Sequence, residues 1–590
     1  MRSADLSRTT ERIAVVRLVL VAALVLIGAR AGQLATDPRA VGRVEGQPNT
    51  QLRVPATRGA ILDRTGRQFA LSVDAPSVYV VPKEIRHPRR TARKLSRILG
   101  ISERTLRKRL AMKSNFVFLS RWISEDAKQK ILALELDGVG IVPEPKRIYP
   151  LGRSAGSLVG FMNVDAEGVR GIEKLEQDWL EGSIKSYPVE RDARGRKLPL
   201  PGVDPRATVG GDVRLTLDAV MQAAAEDALD RAVAQHEAIG GVLVAMDPRT
   251  GDLLAVAEAP GFDPNRFRKS TFTDSRSKSF ADHSEPGSVM KAFLLAGALE
   301  HGVVTLDEQI DCENGSLKVP GKVIRDHEPY DRLDLAGILA HSSNIGATKV
   351  AYRLGAKRHF ELLRAFGFGI HSGVRFPEES AGLLRDWERW QPVDHANIAF
   401  GQGMNVTAIQ LAAATAALAN GGIWREARLI DARRTPGQPW TPARPGAMRR
   451  VISTETAAAT LRLMEGVVGP EGTGRMAGLH GVRVAGKTGT AQKLDPETRS
   501  YFQDRFVAWF VGVAPADDPK LVIVAAVDDP RGRFHTGGMV AAPLFAETAA
   551  RQLLHLGIYT RPEPIPRAPK KTPTVADSGR PPRPDDRGEG

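Results

Sequence analysis

The sequence predicts a mixed α+β protein in three parts: one membrane-crossing helix, a mixed α+β module over residues 36–205, and a larger module over 206–558 in which helices pack on an antiparallel sheet. Three observations carry this. One apolar stretch, residues 13–35, stands near the N-terminus, and no other run is long enough to cross a membrane. Apolar, strand-like runs stand at both ends of the larger module, 242–245 with 253–257 early and 506–514 with 521–527 late, and helical stretches lie between them. Residues 200–211 hold two prolines and three glycines and read as a linker.

The uninterrupted centre of the first stretch, residues 18–29, would span only about 18 Å as a helix. Arg17 and Arg30 flank it, and arginine side chains can snorkel, so the effective span extends outward to Ile13 and Ala35. Arg2, Arg8, Arg12 and Arg17 favour an inside N-terminus, with residues 1–12 as a cytoplasmic tail. Arg39, Arg43 and Arg53 weaken that asymmetry. Ala29-Arg30-Ala31 also fits the cleavage site of a signal peptide, the rival reading.

In the first module, residues 54–81 suggest short strands around a turn at Asp63-Arg64-Thr65-Gly66. A basic helical stretch follows, 91–112. In the larger module, 241–258 reads as a hairpin turning at Asp247-Pro248-Arg249-Thr250-Gly251-Asp252, and 541–556 as a closing helix. Residues 561–590 hold eight prolines and no aromatic residue, and the tail from 559 to 590 reads as disordered.

Apolar residues make up 42% of the chain, which excludes a wholly disordered protein. The net charge of +15 reflects either an Arg-rich surface or attraction to something anionic. The single cysteine, Cys312, excludes an intrachain disulfide and a thiolate metal site.

Three short motifs carry chemistry. Ser288-Val289-Met290-Lys291 follows Glu285-Pro286-Gly287 and opens an apolar run, as a helix start does. Positions i and i+3 share a helix face, so the Ser288 hydroxyl and the Lys291 amine can meet. A serine hydroxyl needs a neighbouring base to become a nucleophile, and a buried lysine can be that base. Ser342-Ser343-Asn344 comes 54 residues after Ser288. It suits a proton relay and an amide contact, or simply a helix cap. Lys487-Thr488-Gly489-Thr490 comes 145 residues after Ser342. Its glycine allows close backbone approach, and its lysine and hydroxyls can bind a carboxylate. A phosphate loop is disfavoured, since the glycine count and spacing are absent.

In this order, S-x-x-K, S-x-N and K-T-G resemble the penicillin-interacting serine transferases and β-lactamases. Arg58-Gly59-Ala60-Ile61-Leu62-Asp63-Arg64-Thr65-Gly66 is similar to the N-terminal motif of class B penicillin-binding proteins. So are Arg147-Ile148-Tyr149-Pro150-Leu151-Gly152, Gly171-Ile172-Glu173 and Gly401-Gln402-Gly403 with Val406-Thr407 and Gln410. Gly160-Phe161-Met162-Asn163-Val164-Asp165, Asp529-Pro530, Gly537-Gly538 and Ala542-Pro543 look like the division-specific, FtsI-type transpeptidases. Ser157 departs from the pattern, standing where members often carry histidine; it falls in the module expected to be non-catalytic.

The resemblance implies a bitopic protein of the inner membrane with a periplasmic pedestal and a β-lactamase-like transpeptidase domain. Such a protein cleaves the D-Ala-D-Ala end of a peptidoglycan stem peptide, holds the rest as an acyl-serine, and passes it to a neighbouring stem's amine. By match, Ser288 is the nucleophile, Lys291 its base and Ser342 the relay; Asn344 orients the substrate amide. Lys487, Thr488 and Thr490 hold the terminal carboxylate beside Gly489, and the N–H groups of Ser288 and Thr490 form an oxyanion hole. β-Lactams acylate Ser288. Lipid-linked nascent glycan, a SEDS-type glycan polymerase and other division proteins are the expected partners, at the septum. No cofactor, metal or nucleic acid is expected. With no glycosyltransferase region before Leu215, the chain should be monofunctional.

Other readings compete. Residues 91–110 resemble a helix-turn-helix with Gly100 at the turn, but they follow the only span and lie away from a chromosome. A penicillin sensor needs a cytoplasmic output region, and only about twelve residues precede the span. Elongation rather than division, D,D-carboxypeptidase and β-lactamase remain as alternatives on the same scaffold. Class A β-lactamases use a glutamate in a Glu-x-x-Leu-Asn setting, and none of the glutamates between Asn344 and Lys487 has it.

Overall fold

The computed structural model describes residues 3–36, 51–54, 56–163, 165–191, 197–199, 208–495, 497–498 and 500–563. Most of the expected linker and the proline-rich tail from residue 564 lie outside the described residues. An N-terminal helix covers Ser3–Thr36, so it begins within the expected cytoplasmic tail. Its segment Ala14–Gln33 has a mean hydropathy of 2.2 and none of it is buried. This single apolar helix fits a single-pass membrane anchor.

The chain divides into two compact units that do not follow chain order. The smaller comprises Met1–Gly59, Val73–Lys146 and Glu181–Gly211; the larger comprises Ala60–Ser72, Arg147–Leu180 and Asp212–Gly590. The expected 36–205 module is therefore not one block. Residues 60–72 and 147–180 join the larger unit because their partners are there. Ile61 pairs in parallel with Val213, across 152 positions of sequence at the neighbouring Ala60–Asp212 bond. Asp63 is buried and accepts hydrogen bonds from the backbones of Thr65, Arg67 and Ala219, which fixes both the turn and the start of the next helix. Arg147 and Glu173 form a buried ion pair at 2.7 Å. These contacts account for two of the family-like motifs. Ser157 also lies in this unit, in the short buried helix Gly156–Val159, and not in the smaller one.

In the smaller unit the basic stretch forms two helices, Pro88–Leu99 and Glu103–Leu110. Gly100 ends the first in a left-handed conformation, φ 67°, and the Ser102 hydroxyl caps the second. Leu95, Leu106 and Leu110 pack with Val78, Val80, Leu119 and Ile131 in one core.

The larger unit is built on a five-stranded antiparallel sheet, in the order Leu253–Ala259, Gly240–Met246, Leu521–Asp528, Tyr501–Ala514, Ala485–Leu494. The expected hairpin and the two late strands are its members. Side chains alternate across a strand, and here both faces are covered. Leu243 and Ala245 join one core with the helices Ala219–Gln235 and Gly537–His555. Val244 and Met246 join the other, with Met290–Glu300, Ala408–Ala419 and Thr454–Val468. Burial on both sides is why these strands read as continuous apolar runs. The closing helix starts at Gly537, four residues before the expected 541, and runs through Pro543.

Candidate active site

Ser288 sits in a 3-10 turn, Gly287–Val289, that leads into Met290–Glu300. That helix is apolar all round, and everything from Met290 to Ala298 is buried, so its first turn is rigidly seated. Lys291 is fully buried there. Its Nζ lies 3.0 Å from Ser288 Oγ, 2.6 Å from the Ser342 carbonyl, 3.1 Å from Ser342 Oγ and 2.7 Å from Asn344 Oδ1. Burial and the nearby Lys487 charge push the Lys291 amine well below the ordinary lysine value, while Asp326 acts in the opposite sense. A neutral amine beside a hydroxyl is the arrangement that general-base activation needs.

Ser342, Ser343 and Asn344 divide the work of their turn. Ser342 has φ 61°, a left-handed conformation that aims it at the lysines. Ser343 is the N-cap of Asn344–Leu354, its Oγ accepting from the Gly346 N–H at 2.9 Å. Thus the capping reading holds for Ser343, and its two neighbours face the cleft residues. Asp326 anchors the turn: it accepts from the Ser343 hydroxyl at 2.6 Å and from the backbones of Asn344 and Ile345. A carboxylate at this helix start also complements the helix dipole. Asn344 Nδ2 donates to the Arg325 carbonyl at 2.9 Å, which fixes the amide so that its oxygen meets Lys291.

Lys487 to Thr490 lie on the edge strand Ala485–Leu494. Lys487 is fully buried, and burial lowers its amine to about 7. Its Nζ is 3.2 Å from Ser342 Oγ, so Ser342 bridges the two lysines. Thr488 Oγ1 is 2.8 Å from Thr473 Oγ1. Thr490 is exposed, and its Oγ1 accepts from the Gly537 N–H at 3.1 Å. Gly489 lies against the nucleophile-side turn: a Cβ there would stand 2.5 Å from the Pro286 carbonyl oxygen. Gly401 has φ 79°, and a Cβ on it would stand 2.1 Å from the Gly287 oxygen, which explains the first glycine of the Gly401-Gln402-Gly403 motif. All eight expected residues are therefore within one cluster.

Sequence reasoning missed Asp326, Thr473 and Glu285. Glu285 is raised by burial; it accepts from the Gly403 N–H at 2.7 Å and the Tyr501 hydroxyl at 2.8 Å. Its carbonyl accepts from Trp509 Nε1 at 3.2 Å. Only the position of Glu285, three residues before Ser288, hinted at it. Beside this turn opens a cavity of about 860 Å³, lined among others by Glu285, Gly403, Gln492, Tyr501 and Trp509. Among the described residues there is no group of three or more His, Cys, Asp or Glu side chains placed to hold a metal.

Residues 241–550 match the family described as the penicillin binding protein transpeptidase domain, and residues 53–215 the penicillin-binding protein dimerisation domain. The chain is 33% identical over 526 residues to a probable peptidoglycan D,D-transpeptidase PenA of Neisseria meningitidis, covering 88% of each. It is 32% identical to the peptidoglycan D,D-transpeptidase FtsI of Escherichia coli, covering 84% of this chain and 82% of that one. It is 35% identical to the stage V sporulation protein D of Bacillus subtilis, covering 86% and 80%. Among solved structures it resembles penicillin-binding protein 3 of Mycobacterium tuberculosis complexed with aztreonam, with TM-score 0.67, 26% identity, and 87% and 98% coverage.

Proposed function

The chain belongs to the class B penicillin-binding proteins, the serine-type peptidoglycan D,D-transpeptidases, and from that premise we propose that Ser288 is its nucleophile and that its cross-links close the division septum. The observation that carries the chemical part is the unbroken contact path Ser288–Lys291–Ser342–Lys487, with both amines buried.

Neutral Lys291 takes the Ser288 proton as Oγ attacks the carbonyl carbon of the penultimate D-Ala. The N–H groups of Ser288 and Thr490 hold the oxyanion. Lys487, still partly protonated near neutral pH, holds the terminal carboxylate with Thr488 and Thr490. As the C–N bond breaks, the proton passes through Ser342 to the departing D-Ala amine. An amine of a second stem then attacks the ester, gives its proton back along the same path, and frees the Ser288 hydroxyl. Asn344 orients the donor amide, and the cavity beside Glu285 takes the rest of the donor stem. A β-lactam presents the same carbonyl and carboxylate, and its acyl-serine persists.

The smaller unit serves as a pedestal, residues 206–558 as the transpeptidase domain, and the N-terminal helix as an uncleaved anchor with its N-terminus inside. A SEDS-type glycan polymerase and division proteins are the partners of this reading. The FtsI-type motifs and the likeness to a peptidoglycan D,D-transpeptidase FtsI support septal work.

Incubation with benzylpenicillin should give one covalent adduct, lost in Ser288→Ala and stable for many minutes after drug removal. Several turnovers of nitrocefin per second would make the protein a β-lactamase instead. A fluorescent fusion should gather at mid-cell, and even labelling of the side wall would point to elongation.

A further inference from the structure

The basic helix pair of the smaller unit has no part in the chemistry above. Pro88–Leu99 and Glu103–Leu110 turn Thr91, Ala92, Leu95, Leu106 and Leu110 inward. Residues 83–113 hold twelve Lys or Arg against two Glu. Arg86 meets Asp137 at 3.5 Å and Arg93 meets Glu103 at 3.7 Å, both in open solvent. Among the described residues, Arg89, Arg90, Arg97, Arg104, Arg107 and Lys108 are exposed and make no ion pair. Crowded cations repel one another unless an anion faces them.

Two further facts select the anion. At the end of the second helix Met112 is 52% exposed and Phe116 46%, the latter stacked on Tyr79 at 4.8 Å. A soluble polyanion offers such side chains nothing, whereas a lipid surface takes cations at its phosphates and apolar side chains at the acyl boundary. The tether is also short. The apolar helix segment ends at Gln33 and the strand Gln51–Val54 of the same unit follows, a stretch of chain that reaches roughly 60 Å at most. A unit tethered within that length meets the bilayer at high effective concentration.

We infer that the helix pair is a docking surface for anionic phospholipid, which lays the smaller unit against the bilayer that its own anchor crosses. This rests on the reading of the N-terminal helix as an anchor. Contact of this kind weakens with salt, because exposed charges are screened beyond about 8 Å at physiological ionic strength.

The test uses the full chain in lipid nanodiscs. Cys312 is buried, so a fluorophore on Ala111→Cys labels one exposed place beside Met112. The discs carry a nitroxide on neutral lipid headgroups, with or without phosphatidylglycerol. Quenching should be roughly two-fold or more stronger in the anionic discs, and the excess should vanish in molar salt. In the same labelled chain, R90E/R97E/R104E/R107E should abolish the excess while benzylpenicillin acylation is unchanged. Equal quenching in both discs, or an excess that survives the four reversals, overturns the inference while the anchor stands. A probe that responds to soluble polyglutamate and not to anionic discs overturns it in favour of a polymer partner. A chain that does not co-migrate with discs overturns it by removing the anchor.

Discussion

The cleft and the helix pair both depend on cations, and they use them in opposite ways. Lys291 and Lys487 are fully buried, each against named oxygens, and burial pulls the proton affinity of both down, Lys291 well below the ordinary lysine value and Lys487 to about 7. Arg90, Arg97, Arg104 and Arg107 stand in solvent without acidic partners. There no single charge has a dedicated partner, and only the sum over a face matters. One misplaced atom should silence the cleft, whereas the helix pair should tolerate any single change.

The sharpest test of that contrast is the cleft itself. Ser288→Ala should remove penicillin acylation entirely, and Lys291→Ala should slow it by about 10²–10⁴, read by intact mass against time. An adduct on Ser288→Ala would break the comparison, since the chemistry would then lie elsewhere.

Gly489→Ala comes next. Its Cβ would meet backbone, the Pro286 oxygen at 2.5 Å, and not a side chain that can swing away. Overpacking of this sort costs about 1–3 kcal/mol, so the melting temperature should fall by several degrees and acylation should drop with it. An unchanged melting temperature would mean that the strand and the Ser288 turn are less tightly joined than their distance implies.

Proton affinity gives a subtler test. Acylation needs neutral Lys291, so its rate should fall as pH falls through the lowered lysine value. Asp326 raises that value, and Asp326→Asn should therefore move the acid limb to lower pH. Because the folded protein binds fewer protons at Lys291 than the unfolded chain, stability from this group rises with pH between the lowered value and the ordinary one. Affinity for the carboxylate of a β-lactam should weaken above about 7, as Lys487 loses its charge. A limb that shifts upward in Asp326→Asn would contradict the assignment of Lys291 as the base.

The smallest effect belongs to the helix pair. Arg97→Glu alone should leave acylation unchanged and the melting temperature within about a degree, as surface substitutions usually do. A larger drop would show that Arg97 packs, and the contrast would lose its second half.

Much of this was legible because the informative spacings are local. Ser288 and Lys291 are one helical turn apart, so their meeting follows from element type alone, and Lys487 to Thr490 are consecutive on one strand. Asp326 was not legible. It acts across seventeen or more residues through a turn whose partner the sequence does not announce. The start of the closing helix was misplaced for a similar reason. Gly-Gly and Pro are poor helix formers, yet Gly537 is small because a Cβ there would stand 2.2 Å from the Trp509 oxygen. The chain's division into units was hidden because Ile61 finds Val213, a partner far along the chain.

Four oxygens stand within hydrogen-bonding distance of Lys291 Nζ: two from Ser342, one from Asn344 and one from Ser288. An ammonium has three hydrogens to give and a neutral amine only two, plus a lone pair. The valence count therefore never closes by donation alone. In the neutral state the Ser342 carbonyl and the Asn344 amide oxygen are pure acceptors and claim both hydrogens. The lone pair is then left to the hydroxyls, which can turn a hydrogen toward it. For Ser288 that turn leaves its own electron pairs facing outward, so the shortage of hydrogens around one nitrogen sets the direction in which the serine can react.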